Sequence, residues 1–482
     1  MAVQYSGVRE SVPGRLNDLG DSSIRIEEQC KKGCLKRADR TFAQGLQCQQ
    51  INSMAALMSL EDSVFISHSP QGCVGCTIMA VDMYRVGQAH RGIKLIRNPR
   101  IIVTNLDQKS VVFGGEKKLR ESVQKAVDRY HPKLIFIYAS CASGIIGDDI
   151  DALATAFAAE YPGTTFVPIH CEGFKSKICA SGFDAAFLSI NKYILKKQKK
   201  ETVPNLVNLF APTTVSFADQ KEMERMLKLI GIEVNYIPFY SSLEKIKRIP
   251  QAVASTSICK VFADEFMKTL EEDYGIPYSH TVMPIGIRNT DKWYRGIAKV
   301  LGKEAEVEEI IAREHKRIEP LVAKIRARLE GKRVFICGGT GRSFAAAALI
   351  DDFGMKLVGL ETPTYDADAQ VDVEYLNGIH KDFVVDIANM QPFEQVNLVK
   401  KLRPDAFIGV PDWAAKLGIP TTHVLDGKRP TMGYDGLLYL GNKIADQLSN
   451  PGFNKKLAEH VKLPYRDSWY EKDAFKFIVG AS

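Results

Sequence analysis

Long apolar runs and concentrated charge of one sign are both missing from this 482-residue chain. No window approaches the roughly 18 apolar residues that a membrane-spanning helix needs. The stretch MAVQYSGVRESVPGRLNDLGDSS has no apolar core between its charges, so it predicts neither a signal peptide nor a membrane anchor. Basic and acidic residues number 64 and 57, and no basic run exceeds LKKQKK, which argues against nucleic acid and membranes as partners. We therefore expect a cytoplasmic protein.

Compact ligand-binding motifs are also absent. The chain has no P-loop, so it is not expected to hydrolyse ATP itself. Cys73 and Cys76 form a C-x-x-C, but the sequence offers no second C-x-x-C for a zinc ribbon and no C-x-x-C-x-x-C run for a bacterial-type ferredoxin cluster. Cys30 and Cys34 form only a C-x-x-x-C. Widely separated ligands would instead suit a large cluster assembled where several segments converge.

What the chain does contain is cysteine, in a setting where structural disulfides are rare. Each thiol is therefore a buried apolar residue, a redox group or a metal ligand, and the residue type alone leaves these alternatives open. The ten positions are Cys30, Cys34, Cys48, Cys73, Cys76, Cys141, Cys171, Cys179, Cys259 and Cys337.

Short β-branched runs alternate with amphipathic stretches in three series. The runs are SVFISH, RIIVTNL, KLIFIYAS and TTFVPIH, then NLVNLFAP, IEVNYIPF, QAVASTSI and SHTVMPIG, then RVFICGG, MKLVGLE, KDFVVDI, DAFIGV and TTHVLD. This alternation predicts parallel, doubly wound units, with a long charged helix over 304–332 between the last two. We predict an α/β fold of three Rossmann-like domains with mostly parallel sheets. The predicted parts are an N-terminal extension (1–45) and domains over 46–203, 204–325 and 326–482.

Three cysteines stand where a predicted strand hands over to a helix. Cys141 ends KLIFIYASC, Cys73 follows SVFISHSPQG, and Cys259 follows QAVASTSI and is expected to open a helix. Ligands of open α/β sheets bind beyond the carboxyl ends of the strands, where helix N-termini stabilise anions such as thiolate. Core cysteines have no reason to prefer these turns, so metal binding is the favoured interpretation for the three.

Six ordered motifs carry a resemblance to a known family. FISHSPQGC, VVFGGEKKL, SCASGIIGDDI, CEGF, EEDYGIP and MGYDGL make the chain resemble the D (α) subunit of nitrogenase and its relatives, from about Cys48 to about Gln447. The resemblance implies three similar α/β domains with an iron-sulfur cofactor buried between them. It also implies that Cys48, Cys73 and Cys141 bind an 8Fe-7S P-cluster-like cluster, shared with a homologous K (β) partner in a D2K2 heterotetramer.

The resemblance implies a second, inner metal site. In the family its cysteine lies fifteen residues before the Tyr of Y-G-I-P, and its histidine lies ten before the Gly of G-Y-D-G. Cys259 and Tyr274 are fifteen apart here, and His423 and Gly433 are ten apart. Cys259 and His423 are therefore expected to hold a large nitrogenase-type iron-sulfur cofactor.

A glycine-rich loop is expected beside that cofactor. CGGTGRSF, with Gly338, Gly339 and Gly341, corresponds to the Gly- and Arg-bearing loop of the family. The alternative is a nucleotide-binding turn, but Phe344 stands where G-x-G-x-x-G has its final glycine.

The chain also departs from nitrogenase at the expected substrate pocket. Nitrogenase has Gln and His eight and twelve residues beyond the Cys of CEGF, where this chain has Cys179 and Phe183. A thiol and an apolar ring make a less polar pocket, which suits an apolar substrate and argues against efficient dinitrogen reduction. The family's lysine that meets homocitrate has no clear counterpart, since FIGVPDWAAKLGIPTTH offers only Lys416. We therefore favour an all-iron 8Fe-9S-C cofactor over a molybdenum form.

Among relatives that keep the Cys and His ligands and lose the Gln and His pair, the best resemblance is to nitrogenase-like methylthio-alkane reductases. It implies a D-type catalytic subunit of an oxidoreductase that cleaves small methyl thioethers to methanethiol and a hydrocarbon in sulfur metabolism. Electrons would come from an ATP-dependent 4Fe-4S reductase protein (H). Two alternatives remain: a nitrogenase α-subunit, and a cofactor-assembly scaffold, which is expected to lack the ligand that His423 provides.

Overall fold

The computed structural model describes most of the chain, and every structural statement below applies to the described residues. None of its helices is both long and apolar enough to cross a bilayer. The described residues are 19–31, 39–40, 48–75, 77–175, 180–198, 201–212, 214–259, 261–280, 282–363, 367–388, 392–409, 413–475 and 478–479.

Strands and helices alternate along most of the described chain. The strands are β1 Leu19–Ser22, β2 Asp39–Arg40, β3 Ser63–His68, β4 Ile101–Val103, β5 Leu134–Ala139, β6 Thr165–Ile169, β7 Leu206–Ala211, β8 Glu233–Pro238, β9 Ala254–Ser257, β10 Arg333–Cys337, β11 Lys356–Thr362, β12 Val384–Ile387, β13 Ala406–Gly409, β14 Thr421–Thr422 and β15 Ile478–Val479. The helices are α1 Ser23–Lys31, α2 Gln49–Leu57, α3 Gly72–Gly75, α4 Ile78–His90, α5 Gln108–Phe113, α6 Glu116–Tyr130, α7 Cys141–Ile146, α8 Ile150–Glu160, α9 Ser181–Tyr193, α10 Phe217–Lys228, α11 Leu243–Lys247, α12 Asp264–Tyr274, α13 Ile287–Leu301, α14 Glu304–Leu329, α15 Thr340–Asp352, α16 Ala367–His380, α17 Pro392–Leu402, α18 Trp413–Lys416, α19 Gly433–Ser449, α20 Gly452–His460 and α21 Asp467–Glu471.

Three sheets built from parallel strands organise the molecule. The first has the order β4-β3-β5-β6, the second β8-β7-β9, and the third β1-β12-β11-β10-β13-β14. All pairs in the first two sheets are parallel, and β1 is the one antiparallel strand of the third. The predicted α/β fold of three Rossmann-like units with mostly parallel sheets is thus confirmed.

The central strands are buried at nearly every position because helices cover both faces of each sheet, although β3 ends in the polar residues Ser67 and His68. Every residue of β3 and β5 is buried. Side chains alternate between two cores: Phe65 and Phe136 stack in the inner core at 5.6 Å between ring centroids, whereas Val64 and Ile135 enter the outer one. Successive side chains of these strands are therefore buried on opposite faces of the sheet.

Two local predictions were wrong. The run SHTVMPIG is not a strand at any of its described residues, and only an isolated bridge between Ser255 and Tyr278 lies next to it. Pro284 has no N–H to give to a ladder, which explains why this apolar run stays irregular. The helix expected to open at Cys259 begins instead at Asp264, where two acidic residues in the first turn favour the helix N-terminus. The long connecting helix was predicted correctly and is α14.

The predicted N-terminal extension contributes a strand to a distant sheet. Gly20 and Asp21 of β1 pair with Asp386 and Val385 of β12 at the edge of the third sheet. Helix α1 continues this contact, since Ser23 Oγ and the Ser23 N–H bond Asn377 and the Phe383 carbonyl. The segment before the first sheet is therefore attached to the last one.

Candidate functional site

The first candidate site lies at the carboxyl edge of the first sheet. Strands β3 and β5 are parallel neighbours in register, with His68 opposite Ala139. Cys73 follows β3 in the short helix α3, and Cys141 is the first residue of α7 after β5. The two predicted ligands therefore leave the sheet at the same edge, as the strand-end rule requires.

Helix α2 brings the third predicted ligand to this edge. Cys48 is the N-cap residue of α2, in extended conformation. Gln50 Nε2 donates to Ser67 Oγ at 2.7 Å, which fixes the first turn of α2 against the end of β3. A Cβ on Gly182 would collide with the Gln49 carbonyl, so α9 packs closely on the same turn.

Gly173, in the CEGF turn, shows how closely two of the thiols approach. A Cβ added there would lie 3.4 Å from Cys141 Sγ and 4.0 Å from Cys48 Sγ. The two sulfur atoms therefore lie within contact distance of one point beside Gly173, where a side chain would be tight against Cys48. Cys141 is exposed and Cys48 and Cys73 are half-buried, so the edge is open to a partner. Soft thiolates grouped in this way fit an iron-sulfur cluster.

Two other thiols do not share this character. Cys171 is fully buried beside the same turn and donates its S–H to the Ala139 carbonyl at 3.3 Å. Burial raises the pKa of the Cys171 thiol well above its usual value, so it stays protonated. Burial likewise raises the pKa of Cys337. Within the described ranges no group of three or more His, Cys, Asp and Glu side chains could hold a single metal ion.

A buried histidine fastens the two ligand-bearing turns to each other. His68 is completely buried; its Nε2 lies 2.8 Å from Asp148 Oδ2 and its Nδ1 3.1 Å from Thr104 Oγ1. Asp148 also accepts from the Gly115 N–H, and Ser140 Oγ donates to the His68 carbonyl at 2.7 Å. Burial lowers the pKa of His68 although Asp148 raises it, so the ring is neutral and Nε2–H donates to the carboxylate. Three of the six sequence motifs meet in this network.

The thiol edge is bordered by large exposed apolar side chains. Phe113 at the end of α5 is 85% exposed and Ile145 on α7 is 76% exposed. We call this set the apolar rim; its members are Val111, Val112, Phe113, Ile145 and Phe174. The helices α5 and α7 that carry four of them contact each other, and exposed apolar side chains on neighbouring elements are typical of a protein interface.

The second candidate site lies where the second and third sheets approach each other. Cys259, in the turn after β9, is buried, and a Cβ on Gly341 would lie 3.5 Å from its Sγ and 3.7 Å from Met283 Cε. The glycine-rich loop therefore lies against the predicted ligand. Gly339 caps α15 in extended conformation and has open space where a Cβ would stand.

A buried arginine joins this loop to the segment that carries His423. Arg342 donates from Nη1 to the Val424 carbonyl at 2.6 Å and from Nη2 to the Thr214 carbonyl at 3.2 Å. Burial lowers the pKa of Arg342, while the nearby Asp219 and Cys259 raise it. His423 precedes Val424, so Arg342 ties the segment that carries His423 to the loop that contacts Cys259. A thiol and an imidazole are the donor types that an inner iron-sulfur cofactor would need.

Asp219 supports the same junction from the second domain. It is fully buried at the first turn of α10 and accepts from the Thr431 and Met432 N–H groups, the latter at 3.1 Å. Burial raises the pKa of Asp219, whereas the Thr431 N–H lowers it. This contact holds the MGYDG motif, and through it the His423 segment, against the second domain.

The remaining predicted positions fall in different surroundings. Phe183 packs edge-on against Phe262 at 4.9 Å between centroids, and the Phe262 N–H donates to the Cys259 carbonyl, so this ring borders the Cys259 turn. Lys416 stacks on Trp413 with Nζ 4.2 Å from the ring centroid. Cys34, Cys76 and Cys179 lie outside the described residues, and nothing is described of the Cys30 side chain. Sequence reasoning gave no role to Met283, Asp219 or the His68 side chain, and it named Arg342 only as part of the glycine-rich loop; no spacing signal marks Met283 or Asp219.

With the geometry in place, comparison with known proteins decides the family. The family model described as "Nitrogenase component 1 type Oxidoreductase" matches residues 48–449. The chain belongs to this family. The nitrogenase component 1 assignment makes it an iron-sulfur oxidoreductase-like protein with an α-subunit-like sequence.

Curated relatives of two kinds resemble the chain over most of its length. The nitrogenase iron-molybdenum cofactor biosynthesis protein NifE of Nostoc sp. is 28% identical over 92% of this chain and 92% of its own. The nitrogenase molybdenum-iron protein alpha chain of Methanosarcina barkeri is 26% identical over 81% of this chain and 83% of its own. A solved structure titled "Nitrogenase Cp1 at pH 5" has the same fold, with a TM-score of 0.71, 22% identity, and coverage of 89% and 93%.

Proposed function

We propose that this chain is the cofactor-bearing D-type subunit of a nitrogenase-like reductase. The observation that carries the proposal is the junction at Gly341 and Arg342, which brings the Cys259 turn and the His423 segment together. Cys259 and His423 would anchor the inner iron-sulfur cofactor, which when bound supplies low-potential electrons to the substrate. Cys48, Cys73 and Cys141 would hold the 8Fe-7S-type cluster together with thiols of a partner.

The residues around the junction set its electrostatics. Arg342 is almost fully buried and is tied to two carbonyls, so its charge stays fixed beside the Cys259 thiolate. A fixed cation in a low-dielectric site stabilises negative charge that an inner cofactor would carry. Gly338, Gly339 and Gly341 add no side chains to the loop, which lets the backbone approach the bound group closely.

The substrate we propose is a small methyl thioether. Phe183 and Phe262 form an apolar wall at the Cys259 turn, and we expect this wall to exclude water and to bind alkyl groups. Cleavage of the C–S bond takes up two electrons and two protons and releases methanethiol and a hydrocarbon. Because the wall carries no imidazole, we expect dinitrogen to be reduced poorly or not at all. An all-iron inner cofactor remains part of this proposal.

The partners we propose are a homologous K chain and an ATP-dependent 4Fe-4S reductase protein. The apolar rim beside Cys141 and Cys48 supports the first, because it would be buried by a chain that completes the cluster. Three thiolates are too few for a large cluster, so a second chain is expected, and by resemblance to the family the assembly would be a D2K2 heterotetramer.

A cofactor-assembly scaffold is the second candidate, and the curated relatives favour it. The similarity to NifE from Nostoc sp. is accompanied by similar matches to NifE from other organisms, such as 29% identity with that of Clostridium pasteurianum. By similarity alone the scaffold is the better supported of the two. The reductase is favoured by the ligand pair itself, since a scaffold must release its cluster and His423 would retain it.

Turnover and cluster transfer separate the candidates. The purified complex would be assayed for methanethiol from ethyl methyl sulfide and for ammonia under dinitrogen, with iron and molybdenum counted per chain. We expect methanethiol, and His423→Ala should abolish it, while the exposed His460→Ala control should not. Ammonia without thioether cleavage would contradict the proposed substrate. No turnover, with ready transfer of the cluster to a nitrogenase apoprotein, would establish the scaffold.

A further inference from the structure

Ionisable side chains from three elements meet behind the thiol edge. His170 follows β6, and its Nε2 is hydrogen-bonded to Asp151 Oδ2 on α8. Its Nδ1 lies 3.6 Å from Glu172 Oε1, and Lys175 Nζ pairs with the same oxygen at 2.7 Å. Lys192 of α9 pairs with Asp151 at 3.0 Å. We call His170, Asp151, Glu172, Lys175 and Lys192 the ionic chain.

The ionic chain runs from the surface to the thiols. The side chains of Lys192, Asp151 and His170 are 40%, 33% and 28% exposed, whereas that of Glu172 is only 4% exposed. Glu172 Cγ is 2.9 Å from the position of a Cβ on Gly144, one turn beyond Cys141 in α7. The next residue, Gly173, separates Cys141 Sγ from Cys48 Sγ. One end of the chain therefore lies directly behind the candidate cluster.

We propose that His170 is a charge-positioning residue: as an imidazolium between Asp151 and Glu172, it offsets negative charge gained by a cluster at Cys48 and Cys141 and raises the cluster's midpoint potential. This proposal rests on the proposed function. The step is a one-electron reduction of the cluster by an external reductant, in which the chain breaks no bond and His170 keeps its proton. The chain is effective at its Glu172 end, which is 4% exposed, because charges act more strongly where water is excluded.

The surroundings of His170 keep it charged over the physiological range. Hydrogen bonding to Asp151 and then to Glu172 raises the pKa of His170 to about 9. The hydrogen bond from His170 also lowers the pKa of Asp151, so the acid stays ionised. The other charged or titratable groups facing the pair are Glu172 and Lys175 in the same turn and Lys192 and Tyr193 on α9.

The test compares cluster potentials in the assembled complex. Redox titration with dithionite and mediators would be followed by the cluster's electron paramagnetic resonance signal in the wild type, His170→Gln and His170→Arg, each checked for iron content. At neutral pH we expect His170→Gln to have a more negative potential than the wild type and His170→Arg to match the wild type. As pH rises through the pKa of His170, the wild type should move toward His170→Gln, while His170→Arg should not.

A third variant guards against misfolding of the other two. Asp151→Asn changes the more exposed end of the ionic chain, and it should move the wild-type pH transition to lower pH because His170 loses the first cause of its raised pKa. Equal potentials and pH profiles in the wild type, His170→Gln and Asp151→Asn, all with full iron, would overturn the proposal. The cluster site is tested separately with Cys141→Ala, which should remove the signal seen in the wild type. If the wild type has no signal that depends on Cys141, the cluster site is refuted, and the proposed function with it.

Discussion

Removing the buried imidazole of His68 should loosen the edge that carries Cys73 and Cys141. His68→Ala deletes the hydrogen bond to the Asp148 carboxylate and the one to Thr104, and it leaves a cavity in a fully buried place. A hydrogen bond to a charged group contributes about 1.5–3 kcal/mol and a neutral one about 1 kcal/mol. With part of the buried side chain's packing lost as well, we expect a cost of about 3–5 kcal/mol.

Hydrogen exchange measures this loss where it occurs. Because about 1.4 kcal/mol corresponds to a factor of ten, amides of β3 and β5 that exchange by local opening should exchange about 100-fold faster or more in His68→Ala. Mass spectrometry of peptides covering 63–75 and 134–148 resolves these strands, and peptides of the third sheet serve as an internal reference. His460→Ala, at the exposed end of α20, is the matched control, and its effect should stay within about 0.5 kcal/mol.

The pH dependence adds a second, independent measurement. Burial lowers the pKa of His68 below its usual 6.5, so its contribution is present above that value and is lost as pH falls through the lowered pKa. Acid should therefore accelerate exchange in β3 and β5 of the wild type more than in His68→Ala. Equal exchange rates in wild type and His68→Ala at neutral pH would refute the role given to this histidine.

Three further predictions concern other parts of the chain. Asp352 accepts the Ile287 N–H, and burial raises the pKa of its carboxyl to about 7. The stabilising contribution of Asp352 is therefore present below its usual pKa of 3.8 and is lost as pH rises through 7. Above pH 7, Asp352→Asn should unfold at a higher urea concentration than the wild type because its free energy of unfolding is larger by up to about 4 kcal/mol, and equal midpoints would contradict this. Gly341→Val should fold yet retain less iron because its side chain enters the space at Cys259, whereas Gly339→Ala, with open space, should retain the wild-type amount; equal iron contents would count against the inner site. Cys76→Ala should keep the interface cluster, and loss of its signal would show that the C-x-x-C acts as a unit.

Most of the fold was predictable because strands that are buried on both faces appear in the sequence as short apolar runs. Parallel strands covered by helices are mostly apolar, so runs such as those in β5 and β10 are visible in sequence. The same signal failed at SHTVMPIG, because an apolar run can be buried without joining a ladder. It also gave no warning of β1, since four residues pairing with β12 across more than 350 positions carry no local pattern.

The candidate sites were predictable only in part, for a related reason. Cys48, Cys73 and Cys141 were found by motif resemblance, and their positions at one sheet edge agree with it, although their role as ligands stays a prediction. The ionic chain and the His68 network combine residues from separate elements, so no spacing rule could find them. Cys179 also stays a prediction because it lies outside the described residues.

The pairing of β1 with β12 affects what a protease could do to this molecule. Helix α14 is the covalent bridge between the second and third sheets, but β1 belongs by sequence to the first part of the chain and by hydrogen bonding to the third sheet. A single cut in α14 would therefore produce two fragments, each needed to complete that sheet. We expect them to copurify under native conditions, because the β1–β12 ladder and the Asp219 and Arg342 contacts all join residues of the two fragments.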